Sequence, residues 1–225
     1  IIEDCAEAIG SMYKGKRVGT FGNCAAFSFF GNKTITTGEG GMVLFKNKKS
    51  YLKAKILRDH GMSKTKRYWH EIVGYNYRMT NMQAAIGVAQ MEKLNEIIKR
   101  KRAIAQNYKK YLNKLKSISL PIEKEWCYHS YWTYGVLIND KSLNVKSLEK
   151  KFKTNGIEIR PFFSPLHIQP PYKKYKRCKS LENSTILSKT GFCLPSSANL
   201  NNDTLNKVCN VLNSIININE MVSDF

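Results

Sequence analysis

The sequence predicts an α/β fold, because segments with strand patterns and segments with helix patterns follow one another along the chain. Residues 25–30 and 42–45 are short apolar runs bounded by turn residues, as buried strands are. Between residues 94 and 112, apolar side chains recur at helical spacing. From residue 131 onward, shorter strand and helix patterns alternate, which predicts a second and smaller α/β part.

The first half of the chain places three polar side chains at the ends of strands. A short apolar run, residues 1–4, ends at Asp4, and the run 25–30 is interrupted only by Ser28 and followed by Lys33. A turn rich in glycine and threonine then leads to the next strand and leaves room for a ligand. We therefore expect these side chains to be available for chemistry at the edge of a sheet.

Asp4, Ser28 and Lys33 are the residue types that a pyridoxal 5'-phosphate site requires. Such a site needs a lysine for the aldehyde, a carboxylate for the pyridine nitrogen, and hydroxyls or backbone amides for the phosphate. An amine is nucleophilic only in its neutral form, so this chemistry also requires a partly desolvated site. On spacing alone, a solvated lysine at a β-hairpin and an aspartate that caps a helix are the more frequent outcomes.

The middle of the chain predicts mainly helices. Residues 50–60 read as a short basic helix, and Thr80 with Gln83 has the form of a capping box at a helix start. The apolar period that follows predicts one long helix, over residues 89–117, that connects two domains.

The last part of the chain predicts two strands and three helices. The strands are residues 131–138 and 157–163, and the helices are one closed by Gly156, one over residues 181–189, and a final one capped by Asp203. A loop rich in proline and lysine, residues 165–179, precedes the second of these helices. Trp69 and Trp132 are assigned to the core or to an interface.

Composition disfavours a nucleic-acid-binding protein and a membrane protein. The formal net charge is +20, from 37 basic and 17 acidic residues, but the basic clusters at 99–102 and 173–179 belong to no recognised nucleic-acid motif. A positive surface would also attract a nucleotide diphosphate. No apolar run reaches the length of about 18 residues that a membrane span needs. The six cysteines show neither metal-binding spacing nor paired motifs, and we expect free thiols in the cytoplasm.

Several blocks, in order, resemble those of the DegT/DnrJ/StrS sugar aminotransferases. The blocks are Glu-Asp-Cys-Ala-Glu-Ala (3–8), Gly-Thr-Phe-Gly-Asn (19–23), Ser-Phe-Phe-Gly-Asn-Lys-Thr-Ile-Thr-Thr-Gly-Glu-Gly-Gly (28–41), Arg-Asp-His-Gly (58–61) and Gly-Tyr-Asn-Tyr-Arg-Met-Thr (74–80). Within the family, Tyr-Trp-His (68–70) and Pro-Phe-Phe-Ser-Pro-Leu-His (161–167) are most similar to the perosamine-synthase branch.

The resemblance implies a role for each matching residue. Lys33 would hold pyridoxal 5'-phosphate as a Schiff base and shuttle protons, and Asp4 would keep the pyridine nitrogen protonated. Ser28 would bind the cofactor phosphate, as would Asn76, which reaches the cofactor of the neighbouring subunit. Glu7 stands where many relatives carry glutamine facing the phenolic oxygen of the cofactor.

Two further matches imply contacts with the substrate. Arg78 would bind a phosphate or a carboxylate, and His167 would face the sugar. Arg78 also fits a simpler role as a surface arginine. His167 likewise fits a role as a structural histidine in a proline-rich loop. Asn76, taken without the resemblance, would be an ordinary turn residue.

The resemblance implies a fold-type I transferase of the aspartate aminotransferase class. Residues 1–88 would be the second part of the large mixed-sheet domain, 89–117 the connecting helix, and 118–225 the small C-terminal α/β domain. The chain opens at Ile1 within a strand, so we expect it to lack the N-terminal part of the large domain.

The implied reaction is transfer of an amino group from glutamate to a nucleotide-linked 4-keto-6-deoxy sugar, in glycan precursor biosynthesis. The resemblance implies a cytoplasmic homodimer with shared active sites. Two alternatives stay open: a sugar 3-dehydratase on the same scaffold, in which histidine replaces the lysine, and a regulatory relative without catalytic activity. Lys33 argues against the first, and the set Asp4, Ser28 and Lys33 argues against the second.

Overall fold

The computed structural model describes residues 1–175 and 180–223, and this part of the chain forms two compact units. The first unit consists of Ile1–Lys99 and Glu123–Trp132. The second consists of Arg100–Ile122 and the described chain from Thr133 onward. The three-part division into domains stated above remains a prediction.

The first unit contains a sheet of three strands, β1 (Ile2–Asp4), β4 (Cys24–Ser28) and β5 (Gly41–Phe45), in the order β1-β4-β5. Strand β4 is parallel to β1, with Asp4 opposite Ala26, and antiparallel to β5. The three predicted strands are therefore confirmed, although β4 ends two residues earlier than expected. A smaller sheet in the order β3-β2-β7 consists of β2 (Met12–Tyr13), β3 (Lys16–Arg17) and β7 (Cys127–Tyr128).

Three helices follow β5. Helix α1 (Lys48–Leu57) begins at Asn47, whose side chain accepts the Ser50 N–H. Helix α2 (Asn81–Glu92) begins with the predicted capping box, in which Thr80 and Gln83 each bind the backbone N–H of the other. Helix α3 is Leu94–Leu112.

The prediction of one unbroken long helix is wrong, because α2 ends at Glu92 and α3 starts at Leu94. Lys93 between them has φ −96° and ψ 1°, and its N–H bonds to the carbonyls of Gln90 and Met91. Leu94 and Ile98 of α3 lie in a buried cluster with Phe29 and Ile35. Burial of these side chains favours the break over a continuous helix.

The second unit contains an antiparallel sheet of the strands β6 (Ile118–Ser119), β8 (Tyr134–Ile138), β9 (Arg160–Pro161) and β10 (Gly191–Leu194). The strand order is β6-β8-β10-β9. Its helices after α3 are α4 (Val145–Thr154), α5 (Glu182–Thr190) and α6 (Asn202–Ser223), and two short 3₁₀ helices cover Leu166–Ile168 and Pro170–Tyr172.

Two expectations for the second unit are wrong. The strand expected over residues 157–163 is reduced to Arg160–Pro161. Asn201, and not Asp203, caps α6, because its side chain accepts the Thr204 N–H at 2.8 Å. Asp203 instead lies in the first turn, where a carboxylate interacts favourably with the helix dipole.

Large side chains from several elements fill the core of the second unit. Tyr108 and Leu112 of α3, Val136 of β8, Phe152 of α4 and Leu212 of α6 are all completely buried. Within the described ranges, no helix combines the length and apolar character needed to cross a membrane.

Candidate active site

The chain between β4 and β5 forms a closed turn that carries Lys33. The Phe29 N–H bonds to the Gly40 carbonyl at 2.9 Å, and the Phe29 carbonyl accepts the Thr37 N–H at 2.9 Å. Ile35 is buried beneath the turn. These contacts anchor both ends and the middle of the turn, so Lys33 projects from a fixed backbone.

The amine of Lys33 lies between a carboxylate and an aromatic ring. Its Nζ is 3.2 Å from Glu7 Oε1 and 4.2 Å from the centre of the Trp132 ring. The Lys33 side chain is 13% exposed, whereas that of Glu7 is 49% exposed. The amine is thus largely shielded from solvent and has an acidic partner that solvent can reach.

Asp4 and Ser28 lie at the same edge of the three-stranded sheet, because each is the last residue of one of two parallel strands. Asp4 Oδ1 accepts the Ala6 N–H at 3.1 Å, and its Oδ2 has no partner among the described residues. Ser28 Oγ accepts the Phe30 N–H at 3.3 Å, and the described chain provides no acceptor for its hydroxyl hydrogen. Both side chains therefore retain hydrogen-bonding capacity for a ligand.

Glu3 has a structural role that the sequence did not reveal. Its carboxylate accepts the N–H groups of Gly19, Phe21 and Gly22 at 2.6–2.7 Å. These hydrogen bonds, that from Gly22 above all, lower the pKa of Glu3 below its ordinary value. The loop that precedes β4 is thereby fastened to β1, the strand that carries Asp4.

Asn76 and Arg78 both lie beside Asp59, in the chain that follows helix α1. The backbone of Asn76 pairs with that of Asp59, and Tyr75 and Tyr77 beside it stack with ring centres 5.1 Å apart. Arg78 Nη1 is 3.6 Å from Asp59 Oδ2, with both side chains well exposed. In the described chain, no hydrogen bond or ion pair joins Asn76 or Arg78 to the residues around Lys33.

His167 belongs to the second unit, on the 3₁₀ helix Leu166–Ile168. Its Nε2 is 3.1 Å from Thr185 Oγ1, and the same hydroxyl donates to the Leu181 carbonyl at 3.1 Å. His167 also borders a cavity of about 370 Å³ with Leu181, Thr185 and Lys189.

Trp132, which the sequence assigned to the core or to an interface, is half-buried and contacts the turn that carries Lys33. No local signal reveals this contact, because Trp132 and Lys33 lie far apart in the chain. Trp69, also assigned to the core or an interface, is 54% exposed in this chain.

One residue of the basic cluster 99–102, Lys101, is buried, with only 6% of its surface exposed. Residues 176–179 of the cluster 173–179 lie outside the described residues, and so does Cys178. None of the five cysteines that the structure describes forms a disulfide, and these ranges contain no group of His, Cys, Asp and Glu suited to a metal ion.

Comparison with known proteins identifies the family. Residues 1–213 match the profile of the DegT/DnrJ/EryC1/StrS aminotransferase family. The chain is 44% identical over 225 residues to the GDP-perosamine synthase of Escherichia coli O157:H7 and 43% identical over 220 residues to that of Vibrio cholerae. These alignments cover 100% and 96% of this chain but only 58% and 59% of the two relatives. The chain therefore spans less than two thirds of their length.

Solved structures agree in fold. PseC of Helicobacter pylori, an aminotransferase involved in the biosynthesis of pseudoaminic acid, superposes with a TM-score of 0.89 at 25% identity, over 96% of this chain and 59% of its own. DesV of S. venezuelae superposes with a TM-score of 0.86 at 27% identity, over 96% of this chain and 57% of its own. These neighbours confirm the predicted fold class, and the profile match shows that this chain belongs to the DegT/DnrJ/EryC1/StrS aminotransferase family.

Proposed function

We propose that the full-length protein containing this chain is a pyridoxal 5'-phosphate-dependent aminotransferase. Its proposed substrate is a nucleotide-linked 4-keto-6-deoxy sugar of the GDP-perosamine type, with glutamate as amino donor. The observation that carries the proposal is the shielded amine of Lys33 beside Glu7, on the turn that follows the strand ending at Ser28. The similarity to two GDP-perosamine synthases supports the choice of sugar.

The residues at this edge fit the cofactor chemically. Asp4 has a free carboxylate oxygen for a protonated pyridine nitrogen, and Ser28 has a hydroxyl hydrogen for a phosphate oxygen. Lys33 supplies the amine that binds the cofactor covalently. When bound, the cofactor supplies an electron sink that stabilises negative charge at the amino-bearing carbon.

The residues of this chain then hold and move protons. The Lys33 amine accepts a proton from the amino-bearing carbon of glutamate, and later donates one to the sugar carbon that receives the amino group. Glu7, 3.2 Å away, stabilises Lys33 while it carries the proton. Asp4 would hold the pyridine nitrogen of the cofactor through the carboxylate oxygen that has no partner among the described residues.

Three residues receive proposed roles from the family resemblance. Asn76 binds the phosphate in the site of a neighbouring subunit, which makes the enzyme a homodimer with two shared sites. Arg78 binds an anionic group of the substrate, for which it exchanges its exposed partner Asp59. His167 contacts the sugar. The proposed location is the cytoplasm.

Two variants test the role of Lys33 in the full-length enzyme. Lys33→Arg should abolish both the visible absorbance of the bound cofactor and the transfer of the amino group. Lys46→Arg is the matched control, because the Lys46 amine instead binds the Phe21 carbonyl. Assays with GDP-, UDP- and dTDP-linked keto sugars then identify the nucleotide. An unchanged spectrum in Lys33→Arg would remove Lys33 from its proposed role.

Mixing two inactive variants tests the shared sites. A Lys33→Arg subunit paired with an Asn76→Ala subunit forms one intact site and one doubly defective site. Random exchange should therefore restore about a quarter of the wild-type activity. No recovery, with subunit exchange verified, would show that Asn76 does not act across the dimer.

The two alternative functions are less well supported. A sugar 3-dehydratase on this scaffold carries histidine where Lys33 stands. A purely regulatory relative has no need for a lysine amine beside a carboxylate, and the buried position of Lys101 weakens the case for a nucleic-acid surface. Salt-dependent binding of the full-length protein to duplex DNA, with no cofactor spectrum, would favour the regulatory alternative.

A further inference from the structure

Residues Glu123–Trp132 belong to the first unit although they are separated in the sequence from the rest of it. This returning segment ends at Trp132. In this segment β7 pairs with β2, with Tyr128 opposite Met12. Ser130 is completely buried, and its hydroxyl lies 2.8 Å from that of Ser11. The backbone that leads to Trp132 is therefore fastened to the first unit by a strand pair and by a buried hydrogen bond.

Trp132 contacts both the backbone and the amine of the Lys33 turn. Its indole Nε1–H donates to the Asn32 carbonyl at 2.8 Å, across 100 residues of sequence. The face of its ring lies 4.2 Å from Lys33 Nζ. One side chain thus holds the residue before Lys33 and also covers the end of the Lys33 side chain.

We propose that Trp132 is a positioning residue for Lys33, an inference that rests on the proposed function. A lysine side chain has many rotamers of similar energy, so a free amine would spend little time at the position that proton transfer needs. The ring attracts the ammonium to its face, while the hydrogen bond to Asn32 fixes the start of the turn. The Glu7 carboxylate, 3.2 Å from the amine, provides a second contact.

The same unit provides a matched control. Trp126 lies on the same returning segment, but its ring packs edge-on against Tyr13 at 5.4 Å and is 52% exposed. Trp126 and Lys33 share no contact in the described chain. Replacement of Trp126 therefore measures how kcat and Lys33 labelling change when this segment loses an indole that does not contact Lys33.

The experiment compares Trp132→Phe, Trp132→Leu and Trp126→Leu in the full-length protein. We expect Trp132→Leu to lower kcat by about 10–100-fold, with the KM for the nucleotide sugar changed less than about threefold. Trp132→Phe keeps a ring face but loses the hydrogen bond, and its kcat should fall by a smaller factor. Trp126→Leu should leave kcat near the wild-type value.

A second measurement does not depend on catalysis. The cofactor-free protein is acetylated briefly with acetic anhydride, and the labelling of Lys33 relative to Lys46 is measured by mass spectrometry of peptides. We expect labelling of Lys33 to increase at least about threefold in Trp132→Leu, because the ring no longer covers the amine. Labelling in Trp126→Leu should match the wild type.

The outcomes distinguish a failure of the Trp132 proposal from a failure of the proposed function. If Trp132→Leu matches Trp126→Leu in kcat and in Lys33 labelling, Trp132 does not position Lys33. If the wild-type protein transfers no amino group, the proposed function is wrong, and the labelling still decides whether Trp132 holds the amine. If Trp132→Leu does not fold, the comparison of Trp132→Phe with the wild type decides in its place.

Discussion

Lys33 Nζ and Glu7 Oε1 lie 3.2 Å apart and form an ion pair between two turns, one after β1 and one after β4. The pair joins residues separated by 26 positions in the sequence. Because the two strands are parallel neighbours, the chain segments that follow them emerge at the same edge of the sheet. A carboxylate and an amine thus meet where Asp4 and Ser28 also lie.

The first prediction concerns the strength of this pair. Half of the Glu7 side chain is exposed, so solvent screens its attraction to Lys33. A double-mutant cycle with Glu7→Gln and Lys33→Met, in the cofactor-free full-length protein, should give a coupling energy below about 1 kcal/mol. The coupling should decrease with added salt. A coupling of several kcal/mol, insensitive to salt, would show that the pair is effectively buried.

The second prediction concerns acid stability and Glu3. Hydrogen bonds from Gly22 and its neighbours lower the pKa of Glu3 in the folded state. The stability that Glu3 contributes is therefore present above the ordinary glutamate pKa, and is lost as the pH falls through the lowered value. We expect the difference in unfolding temperature between wild type and Glu3→Gln to become smaller as the pH falls from neutral through the lowered pKa of Glu3.

Glu149→Gln is the control for this measurement, because Glu149 is exposed on α4. Its unfolding temperature should follow the wild type at every pH. A constant difference between wild type and Glu3→Gln would mean that the charge of Glu3 is not what fastens the loop.

The third prediction concerns alkaline stability and Lys101. The buried Lys101 amine donates to the Ser196 carbonyl at 2.7 Å, and burial lowers its pKa to about 8. Between that value and the ordinary lysine pKa of about 10.4, the unfolded chain binds a proton that the folded chain does not. The free energy of unfolding should therefore rise with pH in this window, by up to about 3 kcal/mol relative to Lys101→Met.

Urea unfolding at a series of pH values measures this effect in the full-length protein. Lys99→Met is the matched control, since Lys99 is exposed on the same helix. The free energy of unfolding of Lys99→Met should differ from that of the wild type by the same amount at every pH. Parallel profiles for wild type and Lys101→Met would contradict the lowered pKa.

The fourth prediction concerns residues 1–225 expressed alone. Met42 and Val43 of β5 and Met82 and Val88 of α2 are about half exposed or more, and a groove of about 830 Å³ runs between these elements. Exposed apolar surface of this extent favours dye binding and association. We expect strong fluorescence with 8-anilinonaphthalene sulfonate, self-association, and no aminotransferase activity.

Cofactor binding by this segment should also be weak. Within one subunit of residues 1–225, Ser28 is the one phosphate ligand that we propose. A phosphate held by a single hydroxyl should bind at least about 100-fold more weakly than in the full-length protein. Equilibrium dialysis with pyridoxal 5'-phosphate compares the two proteins. Tight binding and turnover by residues 1–225 would show that the site is complete within them.

Local patterns determined much of the fold and part of the candidate site. The apolar runs ending near Asp4 and Ser28 predicted strands, and Thr80 with Gln83 predicted a helix start, because these features depend on neighbouring residues only. The ordered motifs around Lys33 led to the family that the profile match shows. The strand and helix signals lie within a few residues of the features that they predict.

Tertiary structure alone decided which side chains meet. Glu7 contacts Lys33 because β1 and β4 are adjacent, Glu3 reaches the loop before β4, and Trp132 returns across 100 residues to the Lys33 turn. The break between α2 and α3 likewise depends on burial of Leu94 against residues far away in the chain. Such contacts arise from packing between distant segments, and no local sequence pattern records which segments pack together.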